Sequence, residues 1–485
     1  MVHHAGSTCH AATFGRPLAW PTLLLFAITL TLALGWTGYI ASDDAAYYEG
    51  AVRWLSDPPF AGSDHWTTRF PVILSLAAAL AIFGKGYVAM GAAALAWYFA
   101  LVAIVGLFTA RIGGRTAGWI ASILIATMPV VASEASTIGC DLAEASFLIA
   151  GIWLISAASA GWQRPFAAGL CFGLAIISRE TAALALLGFV PLFLLGRPVP
   201  RRRLLIMGIG AACLLLAEAA FQWALTGDPL RRYALAFNHD SHIDRAANLE
   251  GNLLVHPAVD PLLVLLVNND FAQIFWLALA ALATGFHHKL DQYQKRQLLI
   301  PAMLAATAFL LVALLTTKLV LNPRYFILPA LVAAMVTAIW LARTDARVRL
   351  LLLGAAVSAN LLMLSAQNAH PRWDAEALVL AAATHRDEVV LTNPRTSHRA
   401  EHPLAFAGLT NARAAAPAPG RLYLAAEDEG LFAARPLARF APPPPPLGRL
   451  IRWIGLANAL PPAIAHRLLD PGPAMLLWRL EPSAI

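Results

Sequence analysis

Long apolar runs alternate with short polar loops over most of this chain. A helix that crosses a bilayer needs about 20 apolar residues, with a range of roughly 17–25. Two shorter runs, 165–178 and 181–196, flank Arg179 and Glu180, and they predict either one kinked helix or a tight pair of helices. The run 71–84 is too short to span and predicts an interfacial or re-entrant helix. The remaining runs predict spanning helices at residues 18–40, 88–110, 116–133, 145–162, 204–225, 261–286, 298–317, 325–342 and 350–367.

Basic residues set the predicted orientation, because cytoplasmic loops of membrane proteins are rich in Lys and Arg. Placing Arg111, Arg164, the cluster 201–203, Lys289 and Arg343 in the cytoplasm requires that run 71–84 does not span. It also requires that the Arg179-Glu180 pair forms a turn at the outer face. The result is about eleven spans, with the N-terminus inside and the C-terminus outside. Before residue 371 only Asp291 and Asp345 fall on predicted cytoplasmic loops, which indicates that the outer face carries the chemistry.

Composition supports a membrane protein and adds a second region. Hydrophobic residues make up 59% of the 485 positions and charged residues 13%, with a mean hydropathy of +0.63. The net charge of +7 comes from arginines in short loops between apolar runs, so it does not indicate nucleic-acid binding. The four cysteines show no metal-ligand spacing. The chain turns more polar after residue 367, with strand-like runs at 388–392, 421–425 and 474–480 and a helical run at 374–384.

These patterns predict a polytopic α-helical membrane protein with a small C-terminal extracytoplasmic α/β domain. The membrane domain covers residues 1–367, with a first outer loop at 41–70, and the α/β domain covers 368–485. The prolines at 442–446 predict a stiff polyproline II segment inside the second domain.

Ionisable residues collect where apolar runs meet the predicted outer boundary. The pair Asp43-Asp44 opens the first outer loop, and it could simply cap a helix that runs to about Leu55. Ionisable groups at such depth are costly, and they usually face a cavity or a pathway. The other members of this outer set are Arg69, Asp141 with Glu144, Arg179, Glu180, His242, Arg245, Lys318, Arg324 and Tyr325.

Glycosyl transfer at an outer membrane face would use this combination of charges. Nucleotide sugars are cytoplasmic, so an outer-face enzyme takes its sugar from a lipid phosphate. The leaving phosphate needs cations to hold its charge, and the acceptor hydroxyl needs one carboxylate base. The sequence contains no P-loop, GxGxxG or HExxH motif that would indicate other chemistry.

Several segments resemble the multi-spanning C-type glycosyltransferases, specifically the protein mannosyltransferase and lipid A aminoarabinose transferase group. Asp43-Asp44 with Tyr47 is similar to the acidic pair in the first outer loop of that family. The segment 68–71 looks like its Lys-Pro-Pro segment, with Arg69 for Lys and Phe70 for the first Pro. Further segments with the same order and spacing as in the family are Asp141-Leu142, 173–180, 242–245 and the late pair Lys318 and Arg324-Tyr325.

The resemblance implies roles for these residues. Asp43, Asp44 and Asp141 would be catalytic, as base or as ligands of a divalent cation, which some members of the family bind. A polyprenyl-phosphate-linked sugar and its acceptor would be bound by Arg69, Arg179, Glu180, His242, Arg245, Lys318, Arg324 and Tyr325.

Several alternatives stay open at the level of sequence. The acceptor could be an envelope lipid such as lipid A, another cell-envelope glycan, a hopanoid-like lipid or a protein hydroxyl. A multi-spanning transporter or lipid flippase would also contain buried charges and broken helices. However, no inverted repeat is visible, and the charges lie at one face and not at the midplane. A non-catalytic scaffold would leave Asp43-Asp44 and Arg179-Glu180 unexplained.

Overall fold

A computed structural model describes residues 19–157, 161–238, 255–256, 259–315, 321–366, 370–430 and 435–480. Its first part is helical throughout. The helices are α1 (Ala19–Gly35), α2 (Asp43–Ser56), α3 (Phe70–Phe83), α4 (Tyr87–Gly113), α5 (Arg115–Thr127), α6 (Pro129–Ser133), α7 (Asp141–Ser156), α8 (Gln163–Ser178), α9 (Ala182–Leu186), α10 (Phe189–Leu195), α11 (Arg201–Thr226), α12 (Arg231–Asn238), α13 (Asp260–Val267), α14 (Ile274–Ala283), α15 (Gln292–Leu314), α16 (Ile327–Leu341) and α17 (Ala346–Ser365).

Many of these helices are suited to a bilayer by length and composition. Five are long and apolar enough to cross a membrane, namely α4, α11, α15, α17 and α16 together with the short 3₁₀ helix before it. Shorter apolar helices lie at Ala19–Gly35, Phe70–Phe83, Ala182–Leu195 and Ile274–Ala283. The polytopic helical architecture predicted from the apolar runs is therefore confirmed, while the count of eleven spans and the domain boundary at 367 stay predictions.

Both ambiguous runs form helices in the structure. The run 71–84 forms the 14-residue helix α3. Between α8 and α9 the chain makes a short turn at residues 179–181, so the runs on either side of Arg179 form separate helices and not one continuous helix. This turn places Arg179 and Glu180 at the end of α8.

Glycines let α8 lie directly against its neighbours. A Cβ atom on Gly169 would lie 2.0 Å from the Met207 carbonyl of α11, and one on Gly210 would lie 2.3 Å from the Phe166 carbonyl of α8. On its other side, α8 places Phe172 against Gly151 of α7. Small residues at such crossings allow two helix backbones to approach closely. The position of Arg179 at the end of α8 is thus fixed from two sides.

The helix α2 is held by an apolar core of its own. Tyr47 and Ala51 are fully buried and pack with Ile73 and Leu76 of α3. A Cβ atom on Gly50 would lie 2.8 Å from the Ile73 side chain, so the contact between the two helices is close. The buried face of α2 also includes Asp44 of its first turn, whereas the neighbouring Asp43 stays partly exposed.

The C-terminal part contains a five-stranded sheet. Its strands are β1 (Val390–Thr392), β2 (Ala412–Ala414), β3 (Leu422–Ala426), β4 (Ala438–Phe440) and β5 (Met475–Arg479), in the order β2-β1-β3-β5-β4. Strand β1 pairs in parallel with β2 and with β3, whereas β5 pairs antiparallel with β3 and β4. The accompanying helices are α18 (Trp373–Thr384), α19 (Pro394–Arg399), α20 (Glu401–Phe406), α21 (Pro446–Trp453) and α22 (Pro462–Leu469).

This part of the structure agrees with the strand-like and helical runs of the sequence and adds two strands. The runs at 388–392, 421–425 and 474–480 contain β1, β3 and β5, and the run at 374–384 lies within α18. Strands β2 and β4 are three residues long and only partly buried, and no pattern in the sequence predicts them.

Candidate active site

Two arginines and two aspartates meet where four segments of the chain come together. Arg324, from the 3₁₀ helix Pro323–Phe326, has its Nη1 atom 3.7 Å from Asp43 Oδ2 at the start of α2. The same Nη1 atom lies 3.8 Å from Asp141 Oδ2 at the start of α7. Arg179, directly after α8, forms an ion pair with the other carboxylate oxygen of Asp141. Asp141 is therefore shared between two arginines, and Asp43 contacts only one of them.

Burial separates this cluster into an inner and an outer half. The side chains of Asp141 and Arg179 are 1% and 9% exposed. Those of Asp43 and Arg324 are 36% and 38% exposed. An incoming substrate would therefore meet Asp43 and Arg324 first, while Asp141 and Arg179 lie behind them as a fixed buried pair.

Three further residues contact the two arginines. The ring of Tyr325 lies 4.3 Å from the guanidinium carbon of Arg179, in a cation–π contact. Glu144, one turn along α7 from Asp141, lies 3.8 Å from Arg179. The side chain of Asn322 accepts a hydrogen bond from the backbone N–H of Arg324 at 3.0 Å, which caps the 3₁₀ helix.

Asp44 differs from Asp43 in its surroundings. Its carboxylate accepts hydrogen bonds from the backbone N–H groups of Ile40, at 2.6 Å, and Ser42, at 2.8 Å. Burial raises the pKa of Asp44, and these two hydrogen bonds partly oppose that shift. With both oxygens engaged and an exposure of 1%, Asp44 holds the backbone that leads into α2. Both carboxylates were predicted to be catalytic, but in the structure Asp43 faces Arg324 and Asp44 binds the backbone.

Arg69 and Glu180 belong to a second, buried network. Arg69 donates to the Tyr47 hydroxyl, lies 3.4 Å from Cys140 Sγ and lies 3.8 Å from Glu180. Glu180 also pairs at 2.7 Å with Arg232 of α12, whose side chain is fully buried. Arg232 donates in addition to the carbonyls of Thr68 and Ile176, at 2.6 and 3.2 Å. This network joins α3, α8 and α12 beside the cluster of Asp141.

Sequence reasoning missed several participants. Cys140 and Arg232 carry no local signal, since their partners lie 71 and 52 or more positions away in sequence. Glu134 is half-buried in the loop before α7, and a Cβ atom on Gly139 would lie 2.3 Å from its Oε2 atom. Burial and the nearby Asp141 carboxylate raise the pKa of Glu134 to about 8. The proposed ligands His242, Arg245 and Lys318 lie outside the residues that the structure describes.

Arg324 lines an apolar crevice, and Asp43 lines a separate, wider cavity. The crevice has Asp141, Glu144, Arg324 and Tyr325 at its polar end and is otherwise lined mainly by apolar side chains, among them Leu148, Leu184, Val312 and Leu328. The second cavity, of about 340 Å³, contains Asp43. It is also lined by Tyr39, Ser42, Glu49, Trp66 and, from the C-terminal part, His398 and Arg399.

The carboxylates of this cluster differ from the ligand set that a divalent cation needs. Hard cations take six or more oxygen ligands from carboxylates, carbonyls and water. Asp141 already contacts two arginines and Asp43 contacts one, so a cation at either carboxylate would face positive charge. Within the described ranges, no group of three or more His, Cys, Asp or Glu side chains is placed to hold a metal ion. These residues do not fit a divalent cation in the arrangement seen here.

Comparisons with known proteins agree on the kind of fold. The family model of dolichyl-phosphate-mannose-protein mannosyltransferases matches residues 70–223. The crystal structure of ArnT from Cupriavidus metallidurans bound to undecaprenyl phosphate matches with a TM-score of 0.60, 12% identity and coverage of 95% of this chain and 98% of that one. The predicted resemblance to the multi-spanning C-type glycosyltransferases is confirmed.

A second solved structure matches over less of its own length. The oligosaccharyltransferase of Archaeoglobus fulgidus in its apo form matches with a TM-score of 0.51 and 13% identity, over 80% of this chain and 64% of that chain. Identities this low show a common fold alone. Among curated protein sequences, none matches the chain.

Proposed function

We propose that this protein is a membrane glycosyltransferase that takes a sugar from a polyprenyl-phosphate carrier at the non-cytoplasmic face of the inner (cell) membrane. The acceptor is a hydroxyl group of an envelope lipid, glycan or protein. One observation carries the proposal: a partly exposed carboxylate, Asp43, lies 3.7 Å from a partly exposed arginine, Arg324, which lines the polar end of an apolar crevice.

The lining of the crevice matches the carrier, although its volume of about 30 Å³ would have to widen to admit a prenyl chain. Its apolar walls match a prenyl chain, and the guanidinium of Arg324 at its end matches a phosphate. The planar guanidinium of arginine can form two parallel hydrogen bonds to a phosphate, a bidentate geometry that lysine does not reproduce. Arg179 lies behind Arg324 and is held by Asp141 and Tyr325; because Asp141 offsets its charge, Arg324 is the cation that faces the leaving phosphate.

Asp43 is the proposed general base. It accepts the proton of the acceptor hydroxyl as that oxygen bonds to the anomeric carbon of the sugar. The bond from this carbon to the phosphate oxygen breaks, and polyprenyl phosphate leaves with its negative charge next to Arg324. Phosphate is a good leaving group, so this step needs no general acid. Asp141 is less suited to be the base, because two arginines contact its carboxylate and it is 1% exposed.

The family comparisons support the donor class. The matching ArnT structure contains undecaprenyl phosphate, and the matching mannosyltransferase family is described as using dolichyl phosphate mannose. Both carriers are polyprenyl phosphates. The transferred sugar is a hexose or a pentose.

Binding of undecaprenyl phosphate to the purified full-length protein tests the donor site. We expect Arg324→Ala to weaken binding by about tenfold or more, because a hydrogen bond to a charged group contributes about 1.5–3 kcal/mol. Arg324→Lys should give an intermediate value. The matched control is Arg347→Ala, at the exposed start of α17, which should bind as the unaltered protein does. Equal binding by Arg324→Ala and Arg347→Ala would show that the crevice is not the donor site.

The acceptor and sugar need a cellular experiment. Deletion of the gene, followed by mass spectrometry of envelope lipids and glycans, should reveal a species that loses the mass of one sugar. An unchanged profile of lipids, glycans and glycoproteins would contradict the transferase proposal.

A further inference from the structure

A cavity of about 440 Å³ lies in the C-terminal part, away from Asp43 and Arg324. It is located at the carboxyl ends of two parallel strands. Asn393 directly follows β1, and Ala426 is the last residue of β3. Cavities of roughly 300–1,000 Å³ are typical of small-molecule sites.

The strand order explains why a cavity forms at this place. The chain leaves β1 to form β2 on one side and then returns past β1 to form β3 on the other side. The two connections that leave the carboxyl ends of β1 and β3 therefore diverge. In open α/β sheets, ligands bind in the crevice that opens at such a switch point.

Polar side chains line this crevice and are not used by the fold. Arg395 follows β1, while Asp428 and Glu429 follow β3. Among the described residues, no hydrogen bond or ion pair engages the side chain of any of these three. Trp373 forms part of the wall, and its indole N–H donates to the Phe440 carbonyl at 2.9 Å, which fixes the ring.

The charges indicate the kind of ligand. Arg399 and Asp374 both line the cavity and pair with each other at 2.8 Å, so their charges cancel. The remaining charges are one arginine, Arg395, against the two carboxylates Asp428 and Glu429. This net negative charge disfavours a phosphate or another anion. A ligand rich in hydroxyl groups fits, because it can accept from Arg395, donate to the carboxylates and place a flat apolar face on Trp373.

Arg399 connects this cavity with the one that contains Asp43, since it lines both. Its guanidinium donates to the carbonyls of Pro371, at 2.9 Å, and Ile40, at 3.3 Å. Ile40 in turn donates its backbone N–H to Asp44, directly beside the proposed base. A chain of sugar residues held at the switch point would thus start next to the cavity of Asp43.

We propose that the switch-point cavity is a binding site for uncharged sugar residues of the acceptor, which presents its hydroxyl group to Asp43. The role in acceptor binding rests on the proposed function, whereas saccharide binding by the cavity does not. The site would let the enzyme select a glycan-bearing acceptor by contacts that are separate from the reacting groups.

Saturation-transfer NMR on the full-length protein in detergent micelles tests this site. The probes are glucose, galactose, mannose and rhamnose, with glucose 6-phosphate as the anionic comparison. At least one neutral sugar should bind, and Arg395→Ala and Asp428→Asn should each weaken it by about tenfold, the effect of losing one good hydrogen bond. The matched control is Asp387→Asn, an exposed aspartate before β1 that does not line the cavity.

The outcomes separate this inference from the donor site. If no neutral sugar binds, if glucose 6-phosphate binds better, or if both variants bind as the control does, the saccharide site is wrong. Undecaprenyl phosphate should bind to Arg395→Ala as it does to the unaltered protein. If the unaltered protein binds a neutral sugar but does not bind undecaprenyl phosphate, the donor site and the acceptor role are refuted, whereas the saccharide site is not.

Discussion

Replacing Asp43 with Asn tests whether this carboxylate is the base. The change keeps the size and shape of the side chain, and it removes the negative charge that could accept a proton. Among the described residues, Asp43 forms one ion pair, with Arg324 at 3.7 Å, and both side chains are more than one third exposed. Asp43 is also the first residue of α2, where a negative charge interacts favourably with the helix dipole.

The expected loss of stability is small. An exposed ion pair contributes about 0–1 kcal/mol, and a charge at a helix N-terminus contributes about 0.3–1 kcal/mol. The two effects together come to at most about 2 kcal/mol. The apolar core of α2, with Tyr47 and Ala51, does not involve Asp43 and should keep the helix in place.

The expected loss of activity is much larger. Removing a general base slows a reaction by about 10²–10⁴-fold. At 1.36 kcal/mol for each factor of ten, this equals roughly 3–5 kcal/mol of transition-state stabilisation. The assay is sugar transfer in membranes that contain equal amounts of each variant, with the glycan product measured by mass spectrometry. Undecaprenyl-phosphate binding is measured in parallel and should be retained.

The matched control is Asp57→Asn, because Asp57 lies at the other end of the same helix and is exposed. It should transfer sugar at the normal rate. Transfer by Asp43→Asn within about threefold of the control would refute the assignment, since a base cannot be removed at so little cost. The proton would then have to go to another group, and Asp141 could serve only after losing one of its arginines.

Two further predictions concern the neighbouring carboxylate and the orientation of the chain. Asp44→Asn should lower the free energy of unfolding by about 1–3 kcal/mol, because the single oxygen of an amide replaces only one of the two carboxylate oxygens that accept from Ile40 and Ser42. The yield and the thermal stability of the protein should therefore fall. A stable but inactive variant would instead make Asp44 catalytic. The second test uses a protein without its native cysteines and an impermeant thiol reagent on intact cells. Arg413→Cys should react and Arg202→Cys should not, because both positions are exposed but lie on opposite predicted faces of the membrane. Labelling of both would overturn the eleven-span topology.

Local patterns were sufficient to predict where most elements lie. The start of α2 at Asp43 follows from an acidic residue before an apolar face, and the helix runs to Ser56, one residue past the predicted end. The turn at Arg179 followed from two charges between apolar runs, together with the count of cytoplasmic loops. Strands β2 and β4 were not predicted, because three residues at a partly buried edge of the sheet are too few to show a periodic pattern.

The partners of the site residues depended on the tertiary fold. Asp43 and Asp44 look equivalent in sequence, yet one faces Arg324 and the other binds the backbone of Ile40 and Ser42. The distinction depends on how the chain bends before α2, which sequence patterns do not encode locally. Arg69 was expected to hold substrate, but it contacts Tyr47 and Cys140, which are brought to it by α2 and α7.

The buried Arg232 has a consequence for how genetic variation in this protein should be interpreted. It joins α12 to Glu180 and to the carbonyls of Thr68 and Ile176, and its side chain is fully enclosed. Removing one partner of a buried ion pair is strongly destabilising, by about 3–5 kcal/mol. A random-mutation library scored by survival alone would therefore rank position 232 with the catalytic residues. Only a parallel measurement of protein abundance would distinguish an arginine that builds the scaffold from one that serves the reaction.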